Sequence, residues 1–231
     1  MSTSSASQAQ LTLSIESAVQ DRSLLQHTFY RAWSDGALTI DQLKGYAKEY
    51  YWAAKHVPAV MDAIKKNFPK NLDATARATF DHNAGEEVEH IELWERFSSA
   101  LGITKKELDE YAPTETVMEA VYSIVEAAEA SFEEGIAAMY AFEVDLPAIS
   151  ESKIEGLQKF YGLSSEDAHA YFNEHLAEEK HLCLWRSLLN QVPEKKVASA
   201  LVAAKSTVNA QNKILDGVVE RYCPELCECA A

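Results

Sequence analysis

Two stretches of the chain carry Glu and His at spacings that bring side chains to one helical face. Asn83-Ala-Gly-Glu86-Glu87-Val-Glu89-His90 sets Glu87 three residues before His90, with Glu86 as the rival carboxylate. Asn173-Glu174-His175-Leu-Ala-Glu178-Glu179-Lys-His181 sets Glu178 three before His181. It adds His175 one turn earlier and offers Glu179, four after His175, as a competing acid. Residues three or four apart are neighbours on a helix surface, so each stretch can aim a carboxylate oxygen and an imidazole nitrogen at one point. That donor pair suits iron or manganese, and helical bundles use it to hold di-metal carboxylate centres. Taken singly, either stretch also reads as a solvated acidic face. A third carboxylate, Glu143, lies among apolar residues in Met139-Tyr-Ala-Phe-Glu-Val-Asp-Leu-Pro147, where a buried charge is costly unless paired or metal-bound. Glu87, Glu143, Glu178, His90, His175 and His181 together are enough for two metal ions with positions left open for oxygen.

A second group is aromatic. Tyr30, Tyr46, Tyr50, Tyr51 and Tyr171 sit among apolar residues at helical spacing, where a tyrosine ordinarily packs its ring and hydrogen-bonds its hydroxyl. Trp33, Trp52, Trp94 and Trp185 read as core. Lys153 follows Pro147 at the start of a short helical stretch, where a cation is poorly matched to the helix dipole. A solvated lysine is the default there, whereas an amine held near a metal pocket would be deprotonated and nucleophilic. Three of the four cysteines crowd into Cys223-Pro-Glu-Leu-Cys227-Glu-Cys229. Such thiols bind soft metals or exchange disulfides, but no histidine or fourth cysteine follows to close a zinc site. The segment reads as a mobile redox tail.

The elements that must position these residues are helical throughout, because apolar spacing follows the helical period and alternating runs are nearly absent. Helices are expected from Leu11 to about Trp33, from Thr39 to about Asn67 with a kink at Pro58, and from Asp73 to Leu101. A capping box at Thr104 and Glu107 starts a short helix. Further helices are expected from Thr114 to about Ala130, from Ser131 through Phe142 and Glu143 towards Pro147, over 152–161, over 165–191, and from Pro193 to near Tyr222. Loops are short, so the fold class is an all-α bundle of about seven to eight helices with sequential neighbours packed together. Residues 1–10, rich in Ser, Ala and Gln, read as a disordered lead, 11–222 as a single domain and 223–231 as the cysteine-rich tail.

A chain of 231 residues that is 47% hydrophobic can fill one sizeable core. Its net charge of −15 disfavours nucleic acid and anionic membranes, which require a basic face. No apolar run approaches the roughly 20 residues of a membrane span, and the N-terminus lacks the basic and apolar regions of a secretory signal. A soluble protein of the reducing cytoplasm is the expectation.

The segments His27-Thr-Phe-Tyr30-Arg-Ala-Trp33, Leu43-Lys-Gly-Tyr46-Ala-Lys-Glu-Tyr-Tyr51 and His90-Ile-Glu-Leu-Trp94 occur in an order and spacing met elsewhere. So do Glu143 before Pro147, Lys153-Ile-Glu-Gly-Leu157, Tyr171-Phe-Asn-Glu-His175 and the cysteine-rich end. Through them the chain, from about Leu24 onward, resembles the heme-oxygenase-like di-metal oxidases. Within these it is similar to the branch of the chlamydial death-domain-associating proteins and the bacterial makers of para-aminobenzoate, near the thiaminase and pyrroloquinoline-quinone-synthase branches. The resemblance implies a heme-oxygenase-like fold that binds no heme. It also implies a dinuclear site of iron, with Fe(II) or Mn(II) as the second metal, using molecular oxygen and an external reductant.

By position, His90, Glu143, His175 and His181 match ligands of that family, and Glu178 or Glu179 stands for an acid that is usually Asp. Two departures follow. The family sets that acid four, and the second His seven, after the first His, whereas this chain gives three and six. Either one residue is missing or the helix is locally distorted; starting from Glu174 restores the spacing but puts Glu where the family has His. The first carboxylate stands seven before the His in the para-aminobenzoate branch, where this chain has Asn83. Other branches place it three before, which selects Glu87.

The chemistry implied is self-sacrificing synthesis of para-aminobenzoate. Tyr30 matches the tyrosine that donates its ring, Tyr46 and Tyr171 match other pocket tyrosines, and Lys153 matches the lysine that supplies the amino nitrogen. Cutting a tyrosine side chain and exchanging its hydroxyl for an amine need oxidising power that no ordinary side chain has and a metal pair supplies. A donor fixed by the fold costs no substrate-binding entropy, but each chain then turns over about once. A thiaminase-like reaction needs a placed cysteine nucleophile, and Cys183, two residues after His181, argues against it. An oxidase acting on an external small molecule and a non-catalytic interaction module are the alternatives. A homodimer is compatible with either.

Overall fold

Most helix starts among the described residues fall where a polar side chain satisfies open backbone groups of the first turn. The structure, a computed structural model, describes residues 3–226 apart from Glu178, with side chains described from residue 10 onward. Eleven α-helices occur among the described residues: α1 (Thr3–Asp21), α2 (Thr28–Ser34), α3 (Ile40–Lys66), α4 (Ala74–Ala100), α5 (Lys105–Asp109), α6 (Glu115–Ala130), α7 (Phe132–Glu143), α8 (Leu146–Phe160), α9 (Glu166–Glu174), α10 (Glu179–Leu189) and α11 (Glu194–Tyr222). Nine of them have at least nine residues, close to the about seven to eight expected, and no strand occurs among the described residues. Thr39 and Thr104 close capping boxes with Gln42 and Glu107. Asp73, Thr114, Ser131 and Ser165 accept from backbone N–H groups of α4, α6, α7 and α9, each cap worth about 1 kcal/mol. Gly102 takes a left-handed conformation, φ +79°, just past α4 and ends it.

Three expected elements differ. The stretch from Leu11 to Trp33 is not one helix, and helical backbone begins earlier, at Thr3. Ser23 caps a 3-10 turn at Leu24–Gln26 and His27 caps α2 through Nδ1, 3.2 Å from the Phe29 amide. Apolar periodicity runs through both caps without registering them. Pro147 does not close a segment but lies in the first turn of α8, where its missing N–H costs no hydrogen bond. Lys153 therefore sits in mid-helix rather than at a helix start. The expected helix over 165–191 is broken: α9 ends at Glu174, a 3-10 turn spans His175–Ala177, and α10 begins at Glu179.

Two apolar clusters fill the interior. One packs α1, α6, α7, α10 and much of α11 against the second half of α3. The other gathers α2, the first half of α3, α4, α8, α9 and the last turns of α11. Tyr50 packs against both. Trp33, Trp94 and Trp185 are fully buried, and Trp52 is half-buried against the first cluster. Among the described residues no helix is long and apolar enough to cross a membrane.

Candidate metal centre and tyrosine cavity

Glu87 on α4, Glu143 at the end of α7 and His181 on α10 are all buried, and one donor atom from each lies within 4.8 Å of the others. His181 Nδ1 is 3.5 Å from Glu87 Oε1 and 3.7 Å from Glu143 Oε2. His181 thus faces both carboxylates, and the three donor atoms converge on one point. The other Glu87 oxygen, Oε2, is 3.1 Å from His90 Nδ1, so this one carboxylate spans two imidazoles. The His175 ring lies 4.6 Å from that of His90. Its Nδ1 donates to the Tyr171 carbonyl at 2.7 Å, which fixes the tautomer and puts the ring's lone pair on Nε2. Trp185 donates to Glu143 Oε2 at 2.6 Å, whereas Glu143 Oε1 is buried with no hydrogen-bond partner among the described residues. A buried carboxylate oxygen left so is costly unless a cation meets it. The donor set thus fits a metal ion on the chain's own geometry.

The electrostatics agree. Burial, with the charge of Glu87 adding to it, raises the Glu143 carboxyl above its ordinary value. Burial also works against ionisation of Glu87, but the hydrogen bond with His90, with the neighbouring imidazoles adding to it, outweighs it and holds its carboxyl low. Burial, reinforced by His90, brings His175 down to about 4, so its imidazole is neutral at neutral pH.

The rival acids fall elsewhere. Glu179 is exposed and pairs with Arg186 Nη1 at 3.0 Å, with the Cys183 thiol 3.2 Å from the same oxygen. Glu174 is exposed at the lip of a cleft shared with Glu86, His90, Lys180 and His181. Glu86 touches His181 from outside, Oε2 to Nε2 at 3.0 Å. Glu178 lies outside the described residues. The six-residue spacing from His175 to His181 coincides with the 3-10 turn, and a 3-10 turn rotates further per residue than an α-helix. Six residues there come closer to the rotation that seven cover in an unbroken helix, which is the local distortion the shortened spacing allows.

A second buried group surrounds Lys153. Its Nζ donates to the Tyr46 hydroxyl, and Tyr46 and Tyr30 hydroxyls are 3.1 Å apart. Nζ also lies 4.7 Å from the centre of the Tyr30 ring and 5.5 Å from that of Tyr50. Burial pushes the Lys153 amine well below its ordinary value, towards the neutral form. Burial raises the tyrosines, Tyr50 to about 12 and Tyr30 and Tyr46 further, so their hydroxyls stay protonated. The backbone at Lys153 is fixed by Trp33, whose indole donates to its carbonyl at 3.3 Å. Gly156 allows that approach, since a Cβ there would lie 2.6 Å from the indole. Tyr30, Tyr50, Lys153 and Tyr171 line one cavity with the apolar Ile149 and Phe172.

Tyr171 joins the two groups. Its ring is 4.3 Å from His175, and its side chain is hydrogen-bonded to Tyr50. Tyr50 carries more of the site than its sequence placement indicates; the available signal is its position four residues after Tyr46, on the same face of α3. Tyr51, one residue on, turns away and donates to Glu95 at 2.6 Å. Of the cysteine-rich end, Cys223 is packed in the second cluster, and Cys227 and Cys229 lie outside the described residues.

The sequence model of the TENA/THI-4/PQQC family matches residues 14–221. The chain is 32% identical over 208 residues to the 4-aminobenzoate synthase of Chlamydia trachomatis, covering 87% of this chain and 89% of that protein. It is 34% identical over 233 residues to the 4-aminobenzoate synthase of Nitrosomonas europaea, covering 93% of each. Among solved structures it superposes, with a TM-score of 0.74 at 16% identity, on a domain of unknown function with a heme oxygenase-like fold from Shewanella denitrificans. That match spans 96% of this chain and 94% of the other, and it shows that the helical bundle is heme oxygenase-like.

Proposed function

The chain belongs to the TENA/THI-4/PQQC family, and from that premise we propose that it makes 4-aminobenzoate out of its own Tyr30, with Lys153 supplying the nitrogen, at a dinuclear iron or iron–manganese centre served by molecular oxygen and an external reductant. The observation that carries the reading is the buried Lys153 amine held against the Tyr46–Tyr30 hydroxyl pair, in a cavity that Tyr171 connects to the Glu/His group. The relatives named 4-aminobenzoate synthase support it.

Glu87, His90, Glu143, His175 and His181 would hold the metals, with Glu178, outside the described residues, as the further acid. When bound, the metals supply the oxidising power for cleaving the side chain and replacing its hydroxyl. The chain's residues do the rest. Burial keeps Lys153 as a neutral amine with a lone pair to give. Tyr46 accepts from Lys153 and contacts the Tyr30 hydroxyl, so it holds nitrogen and the oxygen to be replaced on one hydrogen-bonded line. Phe29 and Trp33 pack around Tyr46 and fix the rings, and apolar cavity walls at Ile149 and Leu215 limit water. Because donor and amine belong to the fold, their alignment is settled on folding, and the chain is consumed in one turnover.

The test is to load the purified protein with Fe(II), alone and with Mn(II), and to supply oxygen and a reductant. Mass spectrometry then follows protein and small molecules together. 4-Aminobenzoate with a matching mass loss at Tyr30 is the expected result. Metal uptake without mass loss would indicate an oxidase acting on an external small molecule, and no metal uptake would remove the catalytic reading.

A further inference from the structure

Glu86 and Glu87 are consecutive on α4, yet both reach His181, from opposite edges of its ring. Glu86 Oε2 is 3.0 Å from Nε2, while Glu87 Oε1 and Glu143 Oε2 lie 3.5 and 3.7 Å from Nδ1. The other Glu86 oxygen is 3.4 Å from His82 Nε2, one turn earlier on the same helix. Glu86 is thus bracketed by two imidazoles at the edge of the solvent cleft, with its side chain 27% exposed, whereas that of Glu87 is only 8% exposed.

We infer that Glu86 is a positioning residue, not a ligand: it accepts a hydrogen bond from His181 Nε2–H and so turns the Nδ1 lone pair towards the metal held by Glu87 and Glu143. The argument is one of donors and acceptors. A carboxylate only accepts, so the proton between Glu86 and His181 belongs to Nε2. In the neutral imidazole Nδ1 then carries the lone pair and faces two carboxylate oxygens, an arrangement of three acceptors that a cation satisfies. A carboxylate or carbonyl on the outer nitrogen of a metal-bound histidine fixes its tautomer and ring orientation and raises its basicity. His175 shows the opposite choice, with Nδ1 given to the Tyr171 carbonyl. The two histidines would therefore meet metal through different nitrogens. The inference rests on the metal-binding reading above.

The test compares wild type, Glu86→Gln and Glu86→Ala as full-length proteins. Mn(II) affinity is measured by competition with a chelator and stoichiometry at saturation, with circular dichroism confirming the fold. In parallel, long-range proton–nitrogen spectra of histidine-labelled, Zn(II)-loaded protein report which ring nitrogen carries the proton. Wild type is expected to show His181 protonated at Nε2 and metal-bound at Nδ1. Glu86→Ala should bind about 10–100-fold more weakly at one site with unchanged stoichiometry. Glu86→Gln should recover most of the affinity, because its amide oxygen accepts the same bond. Unchanged affinity in Glu86→Ala, or metal on Nε2 of His181, would overturn the inference while leaving the metal site standing. Loss of one whole ion in Glu86→Ala would make Glu86 a ligand and overturn it too. If Glu86→Ala does not fold, the wild-type spectrum alone decides. Wild type that binds no metal would overturn both readings.

Discussion

The Tyr171 ring lies 4.3 Å from the ring of His175, four residues along the chain. Through the Tyr171–Tyr50 side-chain hydrogen bond, the Glu/His group is in contact with the cavity around Lys153. Tyr50 in turn packs 5.6 Å, centre to centre, from Tyr46, whose hydroxyl contacts Tyr30. From the Glu/His group to the Lys153 amine there runs a continuous set of packed and hydrogen-bonded tyrosines. Tyr171→Phe keeps the ring and deletes the hydroxyl, leaving the buried Tyr50 hydroxyl short of a partner. It should lower stability by about 1 kcal/mol and reduce product yield, while metal content stays at the wild-type level. Equal yield from this variant, measured in a single turnover, would exclude Tyr171 from the route.

Tyr30→Phe separates structure from chemistry more sharply. Tyr46 retains its bond from Lys153, so the cavity should hold its shape and the melting temperature should change little. No 4-aminobenzoate should form and no mass should be lost from residue 30, although metal still binds. Undiminished product would assign the donor role to another residue, for which Tyr46 and Tyr50 are the neighbours to examine.

Much of this arrangement can be read from sequence because it rests on local rules. Thr39 with Gln42 and Thr104 with Glu107 announce their helices, and Glu87, Glu143 and His181 meet in one buried group. Choosing between Glu86 and Glu87 was harder, since they differ by a rotation of about 100° and only the packing of α4 decides which faces inward. The break at His175 showed itself only as a ligand spacing one residue short, a symptom with two explanations until the backbone is seen. Tyr50 was visible as an aromatic residue, but its link to Tyr171 depends on how α3 and α9 approach each other, which no local pattern encodes.

Lys153 gives a prediction that depends on pH. Its folded-state value is pushed down by burial, so below the unfolded value of about 10.4 the unfolded chain binds a proton that the native chain does not. The amine therefore costs stability at neutral pH, and the cost fades as pH rises towards the unfolded value. Lys153→Met, similar in size and uncharged, should melt higher than wild type at pH 7. The gap should narrow steadily as the pH approaches about 10. A gap independent of pH would mean that the native lysine stays charged. Lys153→Arg, which cannot become neutral, should abolish amination; a normal yield from it would remove Lys153 from the chemistry.

Glu143 carries the opposite balance and links stability to metal. Burial raises its folded-state carboxyl, so it contributes stability below the ordinary carboxylate value of about 4.3 and loses it as pH climbs through the raised value. In the metal-free protein near pH 7, Glu143 is thus a burden, with one oxygen lacking a hydrogen-bond partner among the described residues. Glu143→Gln keeps an acceptor for the Trp185 indole and removes the charge. Its metal-free form should melt above metal-free wild type at pH 7, with the difference vanishing towards pH 4. Added Mn(II) should reverse the order, because wild type gains binding free energy on the folded state while the variant lacks the anionic ligand and gains less. Melting curves with chelator and with Mn(II), recorded for both proteins at two pH values, make the comparison. If Mn(II) stabilised both proteins equally, Glu143 would be a structural acceptor for Trp185 and not a metal ligand.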